Sequence, residues 1–112
     1  MRPDDRIRLQ HMADALSTAI RFTERRSLEE LDKDAMLSFS LRYAVQIVGE
    51  AANKMSQEMR EQHPQFPWSD IIGMRHRLVH GYIDIEPDIL WKTVTEDAPL
   101  LLAQVTAILE AD

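Results

Sequence analysis

The chain is 112 residues long, carries a formal charge of −6 and contains no cysteine, which excludes disulfides and cysteine-held metal sites. Its hydrophobic share of 45% and charged share of 29% are ordinary for a globular protein with one modest core, so residues 1–112 read as a single domain. No apolar run approaches the ~20 residues that cross a bilayer, and Met1–Asp5 lacks the apolar centre of a signal peptide; a cytoplasmic protein with no membrane contact is expected.

Three glycines and little strand-like alternation point to an all-α fold, a small up-and-down bundle of four to five helices. The first helix is expected from Asp4 or Asp5, either of which can cap free N–H groups, to about Arg25. Ile7, Leu9, Met12, Ala13, Leu16, Ala19, Ile20 and Thr23 form its apolar stripe. Ser27-Leu28-Glu29-Glu30 has capping-box spacing and predicts a short helical turn. The longest helix is predicted from about Asp34 to Met55. Leu37, Leu41, Ala44, Val45, Val48, Ala52 and Met55 give it a core face, with a second stripe of Tyr43, Ile47, Glu50 and Lys54 beside it. Gly49 within this helix costs ~1 kcal/mol relative to Ala, a cost that close approach of another helix would justify.

Ser56 can cap a short helix to about Gln62. His63-Pro64-Gln65-Phe66-Pro67 must then be extended, because each proline disfavours helix at the residue before it. Pro67 suits the first position of the next helix, which runs to His80-Gly81, and Pro87 opens the last one. Pro99 falls within that last apolar run, so a kink or break is expected near Asp97-Ala98. Trp68 and Trp91 are expected to anchor the core; His11 and His63 are expected at the surface.

The stretch Trp68–Tyr82 holds an arrangement that packing alone would not select. On a helical wheel Ile71, Ile72, Leu78, Val79 and Tyr82 lie within roughly 60° of Arg75, so a guanidinium sits at the centre of an apolar arc. It cannot shed its proton and needs a carboxylate, a phosphate or a wet interface. Glu50 is the candidate carboxylate, against the alternative of a solvated Glu50–Lys54 pair. Gly73, His76, Arg77 and His80 face the other way. His80 stands at the helix end, where the dipole favours its charged form and where an imidazole can act as general acid or base near neutrality. Arg77 reads either as a phosphate contact or as a solvated charge.

The pattern Arg75-x4-His80-x-Tyr82, its Pro67-Trp68 lead-in and the Ile71-Ile72-Gly73-Met74 run resemble the HepT-like toxins of the HEPN superfamily. Val48-Gly49-Glu50-Ala51-Ala52 upstream and the Trp91 and Pro99 segments downstream extend the likeness to roughly residues 5–110. One departure is His76, where these proteins often have Asn after the motif arginine. The resemblance implies a small all-helical, homodimeric ribonuclease with catalytic Arg75 and His80, supported by His76, Glu50 and Arg77. It needs no cofactor or metal. It further implies neutralisation by an MntA-like nucleotidyltransferase antitoxin that attaches AMP to Tyr82.

Two readings pull the other way. His76 and His80, four apart, have a spacing compatible with a divalent metal, although no HExxH pattern accompanies them. The acidic balance opposes long-range attraction to nucleic acid and suits a non-catalytic helical module docking a basic partner. An RNA substrate would have to rely on local clusters, either Arg21, Arg25 and Arg26 or the motif itself. Finally, positions 75 and 80 stand ~140° apart on a straight helix. They converge on one phosphate only if the helix end unwinds or a second subunit completes the site.

Overall fold

The computed structural model describes residues 1–80 and 86–112, and of 78–80 the backbone alone. Among the described residues every regular element is a helix. Four principal helices, α1 (Pro3–Thr23), α3 (Ala35–Asn53), α5 (Trp68–His80) and a final one from Pro87 to Ala111, are joined through two short ones, α2 (Leu28–Lys33) and α4 (Gln57–Gln62). None is long and apolar enough to cross a membrane.

The starts of α2, α3 and α4 follow from their capping side chains. Ser27 Oγ accepts from Glu30 N at 3.3 Å, Asp34 Oδ1 from Leu37 N at 3.2 Å, and Ser56 Oγ from Met59 N at 3.1 Å, each satisfying a donor the helix leaves unpaired. The first helix departs from expectation. It opens at Pro3, with Arg2 as an extended N-cap that makes no side-chain bond, because proline at N1 lacks an N–H that would otherwise need a partner. Asp5 is thereby drawn inside the first turn. It is buried, and its carboxylate accepts from Ser56 N at 3.0 Å and Ser56 Oγ at 2.6 Å, locking the start of α1 to the start of α4. Ile7 is also not a core residue but exposed. The buried line is Asp5, Leu9, Met12, Leu16 and Ala19, and Ile7 lies ~200° round the helix from Leu9. Pro67 stands just before α5, its carbonyl accepting the first helical bond from Ile71 N.

The core falls into two clusters. The larger gathers Leu9, Met12, Val48, Ala52, Phe66 and Val105 around α1, α3 and α7 (Ala98–Ala111). The smaller gathers Leu31, Leu41, Leu90 and Val94 where α2, α3 and α6 (Pro87–Lys92) meet, with Trp91 partly buried against it. Trp68 is buried, its ring 4.5 Å from that of Phe66 and its Nε1 donating to His63 O at 2.9 Å. His63 is thereby half-buried, while His11 is exposed.

The expected irregularity in the last helix is a π-helical segment, Thr93–Asp97, that joins α6 to α7. Ala98 N–H reaches back five residues to Thr93 O. Pro99 has no N–H for the ordinary four-residue bond to Thr95 O, and its ring would strike that carbonyl. Widening the helix by one residue per turn removes both conflicts. Thr93 and Thr95 Oγ1 donate to Ile89 O and Trp91 O at 2.8 and 2.7 Å, a pattern that itself bends helices. Between this segment and α5 lies an apolar cleft of about 350 Å³, lined by Val48, Ile71, Met74, Val94 and Leu101.

Candidate functional site

α5 packs tightly against α3 at Gly49. A Cβ added there would overlap Arg75 Cβ and lie 2.9 Å from Arg75 Cγ and 3.2 Å from Ile71 O. The glycine buried within α3 is thus the groove in which the aliphatic stem of Arg75 lies, and its loss of helix propensity is offset by the packing of that stem. The stem emerges beside Glu50, the next residue of α3. Arg75 Nη2 is 3.8 Å from Glu50 Oε1, with the arginine side chain 22% and the glutamate 42% exposed. That separation is an ion pair but too long for a hydrogen bond. Gln46 Nε2 approaches the same Oε1 at 3.4 Å.

Arg75 is consequently under-satisfied. Its Nε is buried with no hydrogen-bond partner among the described residues, and its Glu50 contact leaves the fork without a bidentate match. A guanidinium held by its stem, biased by one carboxylate and short of acceptors, is suited to a bidentate oxyanion such as a phosphodiester.

The other sequence candidates divide clearly. His76 and Arg77 are exposed on α5. The backbone of His80 closes α5, but its side chain lies outside the described residues, as does Tyr82 entirely. Because α5 stays helical through residue 80, positions 75 and 80 keep their ~140° separation about one axis. Unwinding before residue 80 is therefore not the device that would bring them together. No group of three His, Cys, Asp or Glu side chains able to hold a metal occurs among the described residues; His80, half of the metal reading, is not among them.

The second basic cluster is not free to bind RNA as a unit. Arg26 donates to Asp34 Oδ2 at 2.7 Å and from Nε to Glu30, while Arg21 and Arg25 are exposed. These bonds hold the Asp34 carboxyl below its ordinary range, the bond from Arg26 first and the one from Leu37 N next. Gln46, which flanks Glu50, was not singled out from sequence. Its only signal is the four-residue spacing that lets a glutamine reach a carboxylate on one helix face.

An all-helical chain that lays an arginine from an Arg-x4-His segment across a glycine and beside a glutamate defines a small helical protein with an anion-ready cation. A family model described as ribonuclease HepT-like matches residues 12–108, a span containing both helices of the site, and the chain belongs to this HepT-like ribonuclease family of the HEPN superfamily. A candidate RNase of Caldanaerobacter subterraneus subsp. tengcongensis is 33% identical over 93% of each chain. The probable ribonuclease HepT of Thermococcus cleftensis is 33% identical over 83% of this chain and 84% of its own. A candidate RNase of Methanocaldococcus jannaschii is 30% identical over 89% and 92%. No solved structure matches the chain significantly.

Proposed function

We propose that this chain is a metal-independent endoribonuclease, the toxin of a toxin–antitoxin pair, whose site is completed by a second copy. The observation that carries this reading is Arg75. It is seated over Gly49, 3.8 Å from Glu50, with a buried Nε that has no acceptor among the described residues, in a chain whose family is one of ribonucleases.

In the proposed reaction His80 removes the proton from a ribose 2′-hydroxyl. The 2′-oxygen attacks phosphorus, the bond to the 5′-oxygen breaks, and a protonated imidazole supplies the proton to the leaving group. The products are a 2′,3′-cyclic phosphate and a 5′-hydroxyl. Arg75 stabilises charge gathering on the non-bridging oxygens, with His76 and Arg77 supporting the strand's other phosphates. The ~140° between positions 75 and 80 is resolved by pairing Arg75 of one copy with His80 of the other.

Regulation follows from Tyr82 in the same segment. An MntA-like nucleotidyltransferase antitoxin would direct the phenol oxygen onto the α-phosphate of ATP, releasing pyrophosphate and leaving an adenylate beside the cleft. Its negative charge opposes RNA phosphate.

The test is cleavage of RNA by the purified protein in excess EDTA. Arg75→Ala and His80→Ala should each lower the rate by at least ~10²-fold without changing the native mass, and unchanged activity in either removes the assignment. Incubation with the nucleotidyltransferase and ATP should add one or more adenylates by intact mass to wild type and none to Tyr82→Phe.

A further inference from the structure

We infer that the groove between α1 and the C-terminal end of α3 seats the part of an RNA strand that flanks the scissile phosphate, an inference that rests on the RNA reading above and adds where the strand runs. The groove encloses about 310 Å³, with Asp4, Arg8 and His11 on its α1 wall and Glu50 and Lys54 on the other. Glu50 belongs to both this groove and the candidate site, its Oε1 standing 3.8 Å from Arg75 Nη2. The groove therefore begins where the site ends.

Its basic groups are uncommitted. Arg8, His11 and Lys54 make no ion pair and no side-chain hydrogen bond among the described residues. Cations close by on the same helix end are engaged, Arg2 lying 3.8 Å from Glu58 and Arg6 3.1 Å from Asp112. Lys54 has a carboxylate one turn before it on α3, but that carboxylate is Glu50, which meets Arg75 instead. The Glu50–Lys54 pair weighed from the sequence is thus not made. Arg8 is partly buried and still has no carboxylate partner. Within this patch Arg8, Lys54 and Arg75 outnumber Asp4 and Glu50, a local reversal of sign in a chain of net −6. A strand lying in the groove feels that local field, because charges beyond a Debye length of ~8 Å are largely screened.

The shape suits a strand better than a lone anion. α1 and α3 run antiparallel here, since His11 and Ile47 also border a second groove that continues towards Phe22 and Ser40. Each wall covers about two helical turns, or ~10 Å. A stacked nucleic-acid strand advances ~3.4 Å per phosphate, so more than one phosphate fits. Ile7 is 53% exposed and lines the same groove, offering apolar surface to ribose and base edges. Asp4 adds an acceptor for a ribose hydroxyl or a base amino group. Cations, an acceptor and an apolar wall together match the three parts of a nucleotide.

Binding tests the groove apart from cleavage. The probe is a short mixed-sequence oligoribonucleotide carrying 2′-methoxy groups, which attack by a 2′-hydroxyl cannot cut. Its affinity for wild type should fall as salt rises. Arg8→Gln combined with Lys54→Gln should weaken binding about tenfold or more at low salt, and should flatten the plot of log affinity against log salt by about 1.4, ~0.7 for each lost phosphate contact. Arg21→Gln combined with Arg25→Gln removes the same charge at the other end of α1 and should leave affinity within about twofold. Far-UV circular dichroism should match wild type throughout. Should the Arg8, Lys54 variant lose its helical signal, Lys54→Gln alone, at an exposed position, decides by half that change in slope. A wild type that does not bind the probe, an unchanged slope, or an equal loss in the Arg21, Arg25 variant overturns the strand path. Unchanged affinity would leave the groove's cations to an acidic protein surface. Cleavage of unmodified RNA in EDTA is read separately. A protein that binds through the groove and does not cut keeps the strand path and loses the proposed activity. One that cuts while its Arg8, Lys54 variant binds like wild type loses the strand path alone.

Discussion

Two arginines of this molecule have opposite surroundings. Arg26 closes the junction of α1, α2 and α3 with bonds to both Glu30 and Asp34, and the Asp34 carboxylate also caps α3 through Leu37 N. Arg75 crosses from α5 to α3, meets Glu50 at 3.8 Å and keeps a buried Nε without an acceptor among the described residues. A cation hydrogen-bonded to two carboxylates holds structure together. One whose stem is immobilised while its fork is left short carries a standing cost of roughly 1–3 kcal/mol for the unmade bond, the kind of local deficit that sites of function retain. The difference lies in the acceptors around the guanidinium and not in how deeply it is buried.

Exchanging each arginine for methionine gives the largest contrast. Arg75→Met keeps an unbranched stem over Gly49 and removes the charge. Cleavage should fall by ~10²-fold or more, while the thermal midpoint holds or rises, because replacing an imperfectly paired cation by an apolar side chain is often neutral or stabilising. Arg26→Met should do the reverse, lowering the midpoint and leaving the rate constant for cleavage untouched. If Arg75→Met lost stability and not activity, the two regions would be the same kind of thing.

Gly49→Ala sharpens the comparison at its contact point. Alanine improves helix propensity by ~1 kcal/mol, yet the new methyl would overlap Arg75 Cβ, and overpacking of that kind costs ~1–3 kcal/mol. A net loss of up to about 2 kcal/mol in denaturant unfolding is expected. Activity should be lost with it, because the stem can clear the methyl only by moving. A Gly49→Ala protein of wild-type stability would mean that α5 slides on α3 without strain.

Much of this was readable beforehand, for identifiable reasons. Serine and aspartate caps act over three residues, so Ser27, Asp34 and Ser56 announce their helices locally. Pro99 announces trouble in the last helix for the same reason, though not that a π segment resolves it, since that depends on how the bend packs. The wheel places Arg75 among apolar residues, and Gly49 hints at a close crossing, but only coordinates pair the one with the other. Asp5 reads as a cap from sequence because nothing local says that Ser56, fifty-one positions away, is its partner. Tyr43, Ile47 and Glu50 were visible as a second stripe, but periodicity alone cannot say whether a stripe is covered by the same chain or left open.

The smallest effect isolates charge from capping at the Arg26 junction. Asp34 does two jobs, accepting from Leu37 N as the N-cap of α3 and pairing with Arg26. Asparagine keeps a cap oxygen and removes the negative charge, so Asp34→Asn should cost stability at neutral pH only through the ion pair. The folded carboxyl titrates below its ordinary range. Its contribution is therefore complete above the unfolded carboxyl value of ~4 and drains away as pH falls through the lower folded value. Wild type and Asp34→Asn should accordingly differ in thermal midpoint at pH 7 and converge in acid below that window. Arg26, whose own titration is raised further into alkali by the same bonds, adds no slope between pH 3 and 9, because it stays charged in both folded and unfolded chains. Raising the salt concentration should shrink the gap at pH 7, since the pair is partly exposed. A gap that persisted unchanged in acid would show that the cap, and not the arginine, is what Asp34 contributes.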